Sequence, residues 1–137
     1  MALKYLLDTC VLSEIVKAAP NPNVLAWLGA QADVDLCLSA VTIGEIRKGI
    51  ELAKARRLAT ATGFETWLTS LVAHYASRIL PFDEPAAQVW GRLMAQVPGT
   101  GIEDSQIAAI ALAQRMTVVT RNLADFVPLG VPCHDPF

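Results

Sequence analysis

The chain alternates between short apolar runs and longer stretches whose apolar residues recur at helical spacing. The runs are about five residues long, which is typical of buried strands. Strands are predicted at residues 3–7, 34–38, 78–82, 117–120 and 131–133. Because helical segments separate most of them, the strands are expected to form a short, mainly parallel sheet with helices on both faces. The predicted fold class is therefore α/β, with three layers.

Helical spacing is clearest after the second predicted strand. Ile43, Ile46 and Ile50 share one face there, and Ser39 is a suitable residue to cap the start of this helix. Further helices are predicted to begin near residues 9, 24, 64, 86 and 103. The Pro-Gly-Thr-Gly segment at residues 98–101 separates the last two of them.

Length and composition favour one compact domain. With 137 residues, the chain can bury about two thirds of its surface, enough for one core, and residues 1–137 are predicted to form a single domain. Apolar residues make up 53% of the chain, which excludes intrinsic disorder. No apolar run reaches the roughly 18 residues that a membrane-spanning helix needs, so no membrane partner is expected.

Charge argues against a protein that coats nucleic acid non-specifically. The 11 Lys and Arg residues and 13 Asp and Glu residues give a net charge of −2, whereas binding through phosphates alone favours a basic surface. A basic strip nevertheless lies within residues 47–57. Its members are Arg47, Lys48, Lys54, Arg56 and Arg57. Taken alone, such a strip is more typical of a solvated helix face than of a nucleic-acid contact.

The three cysteines are far apart in the chain. Cys10, Cys37 and Cys133 form no C-x-x-C pair, so neither a zinc site nor a disulfide framework is predicted. Free thiols are typical of a reducing compartment. The apolar run before Cys10 is too short for a signal peptide, because Asp8 interrupts it. A cytoplasmic location is therefore predicted.

Four acidic residues are placed where strands end or helices begin. Asp8 directly follows the first predicted strand, and Asp125 lies shortly after the fourth. Glu45 lies in the second turn of the helix that starts near Ser39, and Asp104 opens the helix after the Gly-Thr-Gly segment. In parallel sheets, chemistry collects beyond the carboxyl ends of the strands. All four acids are therefore expected to reach one edge of the sheet.

Each of these acids also has a purely structural explanation. Asp8 and Asp104 occupy positions where helices use Asp as an N-cap, and Asp125 fits a turn. Glu45 completes a capping-box pattern with Thr42, although the earlier helix start places Glu45 in the helix interior. Taken one at a time, the structural explanations are the simpler ones.

Considered together, the four acids predict a cation site. Two carboxylates about 5 Å apart repel each other by about 3 kcal/mol at an effective dielectric of about 20. A donor set of oxygens without paired His or Cys favours Mg²⁺ or Mn²⁺. Such an ion activates a bound water and stabilises the charge of a phosphodiester transition state. The acids and the basic strip together predict phosphoryl chemistry.

Four segments of the chain resemble the signature blocks of PIN-domain toxins, and more closely those of the VapC and FitB-like branch. The segments are Leu-Leu-Asp8-Thr9, Ser39-Ala-Val-Thr-Ile-Gly-Glu45-Ile-Arg-Lys-Gly, Glu103-Asp104-Ser-Gln-Ile-Ala-Ala and Thr120-Arg-Asn122-Leu-Ala-Asp125-Phe. Their order and spacing fit, and the resemblance runs nearly from end to end. It implies a three-layer α/β/α PIN-like domain.

The resemblance also implies an activity. It describes the toxin of a type II toxin–antitoxin system, a divalent-metal-dependent endoribonuclease that uses Mg²⁺ or Mn²⁺. By position, Asp8, Glu45 and Asp104 correspond to the catalytic acids that bind the metal. The fourth acidic position falls on Asp125, or on Asn122 beside it.

Further expectations follow from the same resemblance. Thr120 corresponds to the polar residue at a strand end that supports the acids. Members of the family form homodimers and are inhibited by a small antitoxin whose tail fills a groove near the active site. Arg47 and Lys48 are candidates for contact with RNA or with the antitoxin.

One residue departs from the family pattern. The first block usually reads Asp-Thr-Asn or Asp-Ser-Asn, whereas this chain has Asp8-Thr9-Cys10. An amide offers two donors and an acceptor, and a thiol bonds only weakly. The alternative function is therefore a catalytically weakened PIN-fold binding module that acts through an antitoxin-like partner. A receiver-type phosphotransfer domain fits less well, because the first strand is followed by a single acid rather than an adjacent pair.

Overall fold

A computed structural model of the protein describes residues 4–137. The five strands are β1 (Tyr5–Leu7), β2 (Leu36–Ser39), β3 (Ile79–Leu80), β4 (Thr117–Val119) and β5 (Cys133–His134). They form one sheet in the order β3-β2-β1-β4-β5, and every neighbouring pair is parallel. The predicted parallel sheet is confirmed.

Seven α-helices within residues 4–137 connect and cover the strands. They are α1 (Thr9–Ile15), α2 (Pro22–Gly29), α3 (Ala40–Ala55), α4 (Thr60–Tyr75), α5 (Glu84–Gln96), α6 (Ile102–Gln114) and α7 (Leu123–Phe126). Short 3₁₀ turns occupy Asp33–Asp35, Ala76–Arg78 and Val127–Leu129. None of the helices found between residues 4 and 137 is long and apolar enough to cross a membrane.

Two apolar clusters lie on opposite faces of the sheet. Successive strand residues alternate between them, as the pleat of a strand requires. Leu6 packs in the cluster that contains α6 and Phe126. Leu7, its neighbour, packs in the cluster formed with α1, α3 and α4. This arrangement gives the three layers predicted from the sequence.

Two strands are shorter than the apolar pattern predicts. Residues 33–35 form a 3₁₀ turn rather than the start of β2, and Val34 is 55% exposed. The Arg78 guanidinium fixes this turn by donating hydrogen bonds to the main-chain oxygens of Asp33 and Leu36. β3 ends at Leu80, since the following Pro81 has no N–H to extend a ladder.

The first and last predicted strands along the chain also have different bounds in the structure. β1 comprises Tyr5–Leu7, and residue 3, where the first strand was predicted to begin, lies outside the described residues. β5 comprises residues 133–134 instead of 131–133. The main-chain N–H of Thr120 donates to the oxygen of His134 at 2.9 Å, so pairing with the β4 segment fixes where β5 ends.

Three strands deliver polar residues to one edge of the sheet. β1, β2 and β4 run parallel, and their carboxyl ends are followed by Asp8, α3 and Thr120. Ser39 caps α3 by accepting a hydrogen bond from the N–H of Val41 at 2.9 Å. The predicted helix start is confirmed, and Glu45 lies in the second turn of α3.

Candidate active site

Asp8 is the buried centre of the acidic edge. It is 6% exposed, and its main-chain N–H extends the sheet by donating to the oxygen of Val119 at 3.0 Å. One carboxylate oxygen, Oδ1, accepts from the N–H of Thr9 at 2.9 Å and caps α1. The other, Oδ2, accepts from the hydroxyl of Thr120 at 2.9 Å. Asp8 is thus an N-cap, as one explanation predicted, and it also faces the site.

Thr120 joins the two strand ends. Its side chain is fully buried, and its hydroxyl donates to Asp8 while accepting the main-chain N–H of Asn122 at 2.9 Å. These two bonds fix both the carboxylate and the start of the loop before α7. The supporting role that the resemblance implied for Thr120 is consistent with this geometry. Asn122 takes part through its backbone.

Cys10 lies where the family usually has an amide. Its sulfur is 3.8 Å from Oδ2 of Asp8 and 3.6 Å from the hydroxyl of Thr120. Burial raises the pKa of the Cys10 thiol above its usual value, so the group stays protonated at neutral pH. An S–H group is a weak donor. The thiol therefore contacts the same carboxylate oxygen as Thr120, with a weaker bond than an amide would make.

Glu45 carries an unpaired buried oxygen. Its Oε1 atom is inaccessible to solvent and has no hydrogen-bond partner among the described residues. Burial raises the pKa of the Glu45 carboxyl to about 7, and the negative charges of Asp8 and Asp104 add to the rise. The capping-box explanation is wrong, because Ser39 caps α3 and Glu45 is interior. A buried carboxylate oxygen without a donor is a candidate for a proton or a cation.

Asp104 lies in the first turn of α6. The N-cap of that helix is Gly101, so the explanation of Asp104 as an N-cap is wrong. Burial raises the pKa of the Asp104 carboxyl to about 6, and the charges of Asp8 and Asp125 raise it further. The first turn of a helix favours a negative charge. Here that effect is outweighed by burial and by the neighbouring acids.

Asp125 lies at the rim of the site. It is exposed in α7 and lines a cavity of about 240 Å³ together with Asp104 and the Gly99–Gly101 segment. Its main-chain N–H bonds to the oxygen of Asn122 at 3.0 Å, as in a turn. Its side chain contributes negative charge at the more open end of the site.

The donor set fits a hard divalent cation. It contains carboxylate and hydroxyl oxygens, one of them buried and unpaired on Glu45, and these are the ligands that Mg²⁺ and Mn²⁺ prefer. The neighbouring carboxylates are close enough to add to the raised pKa of Glu45 and of Asp104. Within residues 4–137, however, no three His, Cys, Asp or Glu side chains are drawn together tightly enough to form a complete metal-ligand group.

Two of the five basic residues of the strip form ion pairs, each with Glu51 on α3 and with Glu65 on α4. Arg47 contacts Glu65 at 2.8 Å and Glu51 at 3.6 Å. Lys54 contacts Glu65 at 3.6 Å and Glu51 at 3.7 Å. Lys48 is exposed and forms no ion pair with any residue from 4 to 137. Its charge reaches the site, where it opposes the rise in the pKa of Glu45 that burial causes.

Comparison with known proteins identifies the family. Residues 5–126 match the PIN domain, which is most of the chain. The chain belongs to the PIN-domain family. Toxin FitB of Neisseria gonorrhoeae is 35% identical to it, over 96% of this chain and 97% of FitB. A VapC ribonuclease of Sinorhizobium fredii is 38% identical, over 96% of both chains.

Solved structures agree with this assignment. The crystal structure of FitAcB from Neisseria gonorrhoeae contains a chain that superposes with a TM-score of 0.82 at 36% identity. The match covers 96% of this chain and 97% of that chain. A structure of FitAB bound to a DNA fragment gives a TM-score of 0.81 at the same identity. The three-layer PIN-like fold predicted from the sequence is confirmed.

Glu103 was not among the site residues predicted from the sequence. Its charge contributes to the raised pKa values of Glu45 and Asp104, after burial and the charges of other acids. The adjacent acids Glu103 and Asp104 at the start of α6 were the sequence feature that could have indicated this contribution. Arg121 was also given no role, although it lies inside the fourth signature block.

Proposed function

We propose that this PIN domain is the toxin of a type II toxin–antitoxin system and hydrolyses RNA as a divalent-metal-dependent endoribonuclease. Its similarity to FitB and to a VapC ribonuclease supports the class of activity. One observation carries the chemistry. Four separate segments bring acids to one edge of the sheet, and the innermost of these acids include a buried, unpaired Glu45 oxygen.

The metal ligands in this proposal are Asp8, Glu45, Asp104 and Asp125, and the ion is Mg²⁺ or Mn²⁺. When bound, the ion activates water and neutralises charge on the phosphodiester. Thr120 orients the Asp8 carboxylate through its 2.9 Å hydrogen bond. The raised pKa of Glu45, about 7, leaves this carboxyl partly protonated near neutral pH, and metal binding would release that proton.

Lys48 is the proposed substrate contact of the basic strip. It is exposed and unpaired within the described chain, and its charge acts on Glu45. Arg47 is engaged by Glu65, so we assign it to the α3–α4 contact instead. A phosphate that approaches Lys48 exchanges water for an ammonium group without breaking an existing ion pair.

An antitoxin is the proposed protein partner. A cavity of about 560 Å³ lies between α1, α2 and α4, and most of its lining is apolar. A second apolar cavity, of about 240 Å³, runs from Phe64 and Trp67 to Glu45. Exposed apolar grooves of this kind are typical of protein interaction sites. A peptide that filled both would reach the acidic site.

A homodimer and a cytoplasmic location complete the proposal. Among residues 4–137, Ile102 and Val127 are the most exposed large apolar side chains, at 62% and 59%. Their chain neighbours Gly101 and Pro128 line one cavity, so the segments that carry the two side chains lie side by side. We propose this pair as part of the dimer contact. The three free thiols are compatible with the reducing cytoplasm.

The decisive experiment compares metal-dependent cleavage in matched variants. Purified protein, free of any partner, is expected to cleave single-stranded RNA with Mg²⁺ or Mn²⁺ and to stop when EDTA is added. Asp104→Asn is expected to abolish cleavage, because it removes a ligand charge at nearly constant volume. Asp35→Asn removes the same charge at the amino end of β2, on the opposite edge of the sheet, and is expected to remain active.

The alternative, a non-catalytic binding module, rests on Cys10. It gains support if wild type and Asp104→Asn are equally inert towards varied RNAs while Cys10→Asn cleaves. Wild-type cleavage that disappears in Asp104→Asn excludes it. An unchanged rate in Cys10→Asn shows that the thiol supports Asp8 as well as an amide does.

A further inference from the structure

A cation outside the basic strip lies at the same edge of the sheet as the acids. We propose that Arg121, held against the ring of Phe137, binds a backbone phosphate of single-stranded RNA next to the scissile bond. The proposal rests on the ribonuclease function proposed above and extends it by naming a second contact to the substrate. It also predicts the direction of the RNA path, away from Lys48 and across β4.

The position of Arg121 is fixed by the active site itself. It directly follows Thr120, whose hydroxyl binds Asp8 at 2.9 Å, and precedes Asn122, whose N–H binds the same hydroxyl. The backbone N–H of Arg121 also faces the sulfur of Cys10, where it opposes the rise in thiol pKa that burial causes. A side chain that begins at this point can reach a phosphate adjacent to one that a metal ion bound by the acids would hold.

Phe137 orients the guanidinium group. The central carbon of the Arg121 guanidinium lies 4.2 Å from the centroid of the Phe137 ring. The ring is held in place because the Phe137 N–H donates to Asp135 at 2.9 Å and Asn23 donates to the Phe137 oxygen at 3.2 Å. Stacking covers one face of the guanidinium and leaves its N–H edges free. Those edges match two oxygens of a phosphate.

The charge of Arg121 has no carboxylate partner in the described part of the chain. The neighbouring carboxylate, Glu14, is already engaged by Lys17 at 2.6 Å and by the N–H of Asn21 at 2.9 Å. Arg47, by contrast, is neutralised by Glu65. An oriented arginine with free donors beside a metal-binding acidic site is suited to a phosphate of the anionic RNA backbone.

The test measures RNA affinity without catalysis. A fluorescein-labelled, mixed-sequence single-stranded RNA is titrated with protein in EDTA at several salt concentrations. Each phosphate contact contributes about 0.7 to the slope of log K against log salt for single strands. Arg121→Gln is expected to lower that slope by about 0.7. Under metal-activated conditions it is expected to raise KM and leave kcat within about twofold.

Arg115→Gln is the matched control. Arg115 is exposed and lies just before β4, at the opposite edge of the sheet, so this variant has the same net charge but keeps the proposed contact. Its slope is expected to equal that of wild type. Arg121→Lys, which retains the charge, is expected to restore the slope, and Phe137→Leu to weaken binding with the slope unchanged.

The outcomes separate this proposal from the proposed function. If wild type cleaves RNA while Arg121→Gln and Arg115→Gln show the same slope, the Arg121 subsite is wrong and the ribonuclease function stands. A low slope that persists in Arg121→Lys also overturns the subsite, because it indicates a structural role for the arginine. If wild type neither binds nor cleaves RNA, both proposals fail.

Discussion

At the scale of single residues, the site is built from carboxylates that destabilise one another. Burial and neighbouring charges raise the pKa of Glu45 to about 7 and that of Asp104 to about 6. A folded state that binds protons more tightly than the unfolded state loses stability as the pH rises. Functional sites often reduce stability in this way. The contribution of Glu45 and Asp104 to the stability of the metal-free protein is therefore expected to be least favourable at the pH where both are ionised.

Glu45→Gln tests this directly. The stabilising effect of the raised pKa is fully present below the unfolded value near 4.5 and is lost as the pH passes about 7. At pH 8 in EDTA, the variant is expected to be more stable than wild type by about 1–2 kcal/mol, after allowance for the partial exposure of Glu45. Near pH 4.5 the advantage should vanish. Urea unfolding monitored by circular dichroism measures both values.

Glu65→Gln provides a control of opposite sign. The hydrogen bond from Arg47 lowers the pKa of the Glu65 carboxyl, so its charge stabilises the protein above the unfolded pKa. Removing it is expected to reduce stability at neutral pH and to have no effect in acid. If Glu45→Gln were also less stable than wild type at pH 8, then burial and neighbouring charges would not destabilise the ionised Glu45 carboxylate.

The sequence predicted which residues form the site better than how they are bonded. Asp8 and Thr120 are both in signature blocks, yet the bond between them depends on the parallel pairing of β1 with β4. The thiol of Cys10 could be identified as a departure but not placed against Oδ2 of Asp8. Distances across strands are set by sheet register, and register emerges only when the whole core packs.

At the scale of elements, helices were easier to predict than strands. Ser39 gave the start of α3 because a cap acts locally, on the N–H of Val41. The start of β2 was missed because Val34 is apolar but belongs to a 3₁₀ turn that Arg78 holds from a distant part of the chain. Long-range hydrogen bonds of this kind leave no periodic signal in the sequence.

The ion pairs between α3 and α4 involve only one of two neighbouring cations, so we expect the two to have different roles. Arg47 pairs with Glu65 on α4, whereas Lys48 remains unpaired in the described chain. Arg47→Gln is expected to cost about 0.5–1 kcal/mol of stability, an effect that added salt reduces, since exposed ion pairs are weak and screened. Its KM for RNA should stay close to that of wild type.

Lys48→Gln is expected to show the reverse pattern. It breaks no ion pair within the described residues, so its unfolding curve should match wild type, while its KM for RNA rises. Steady-state cleavage and urea unfolding of both variants complete the comparison. Equal effects of the two substitutions on KM would show that the α3–α4 ion pairs leave Arg47 available to RNA, contrary to this assignment.

At the scale of the whole molecule, a small net charge conceals an uneven distribution. The value of −2 combines an acidic edge with cations on either side of it, Lys48 on α3 and Arg121 after β4. RNA need meet only this edge, so modest acidity is compatible with a nucleic-acid substrate. The exposed apolar side chains are also unevenly distributed: some lie near α1 and α4, and others near the start of α6.

The proposed dimer contact includes the exposed apolar side chains of Ile102 and Val127. Burial of such side chains between two copies is favourable by about 25 cal/mol per Å² of apolar surface. The double variant Ile102→Gln/Val127→Gln is therefore expected to shift the protein from dimer to monomer in size-exclusion chromatography with light scattering. Val34→Gln is the control, because Val34 is 55% exposed but precedes β2 at the opposite edge of the sheet. A dimer that persists in the double variant, or dissociates in Val34→Gln, places the contact elsewhere.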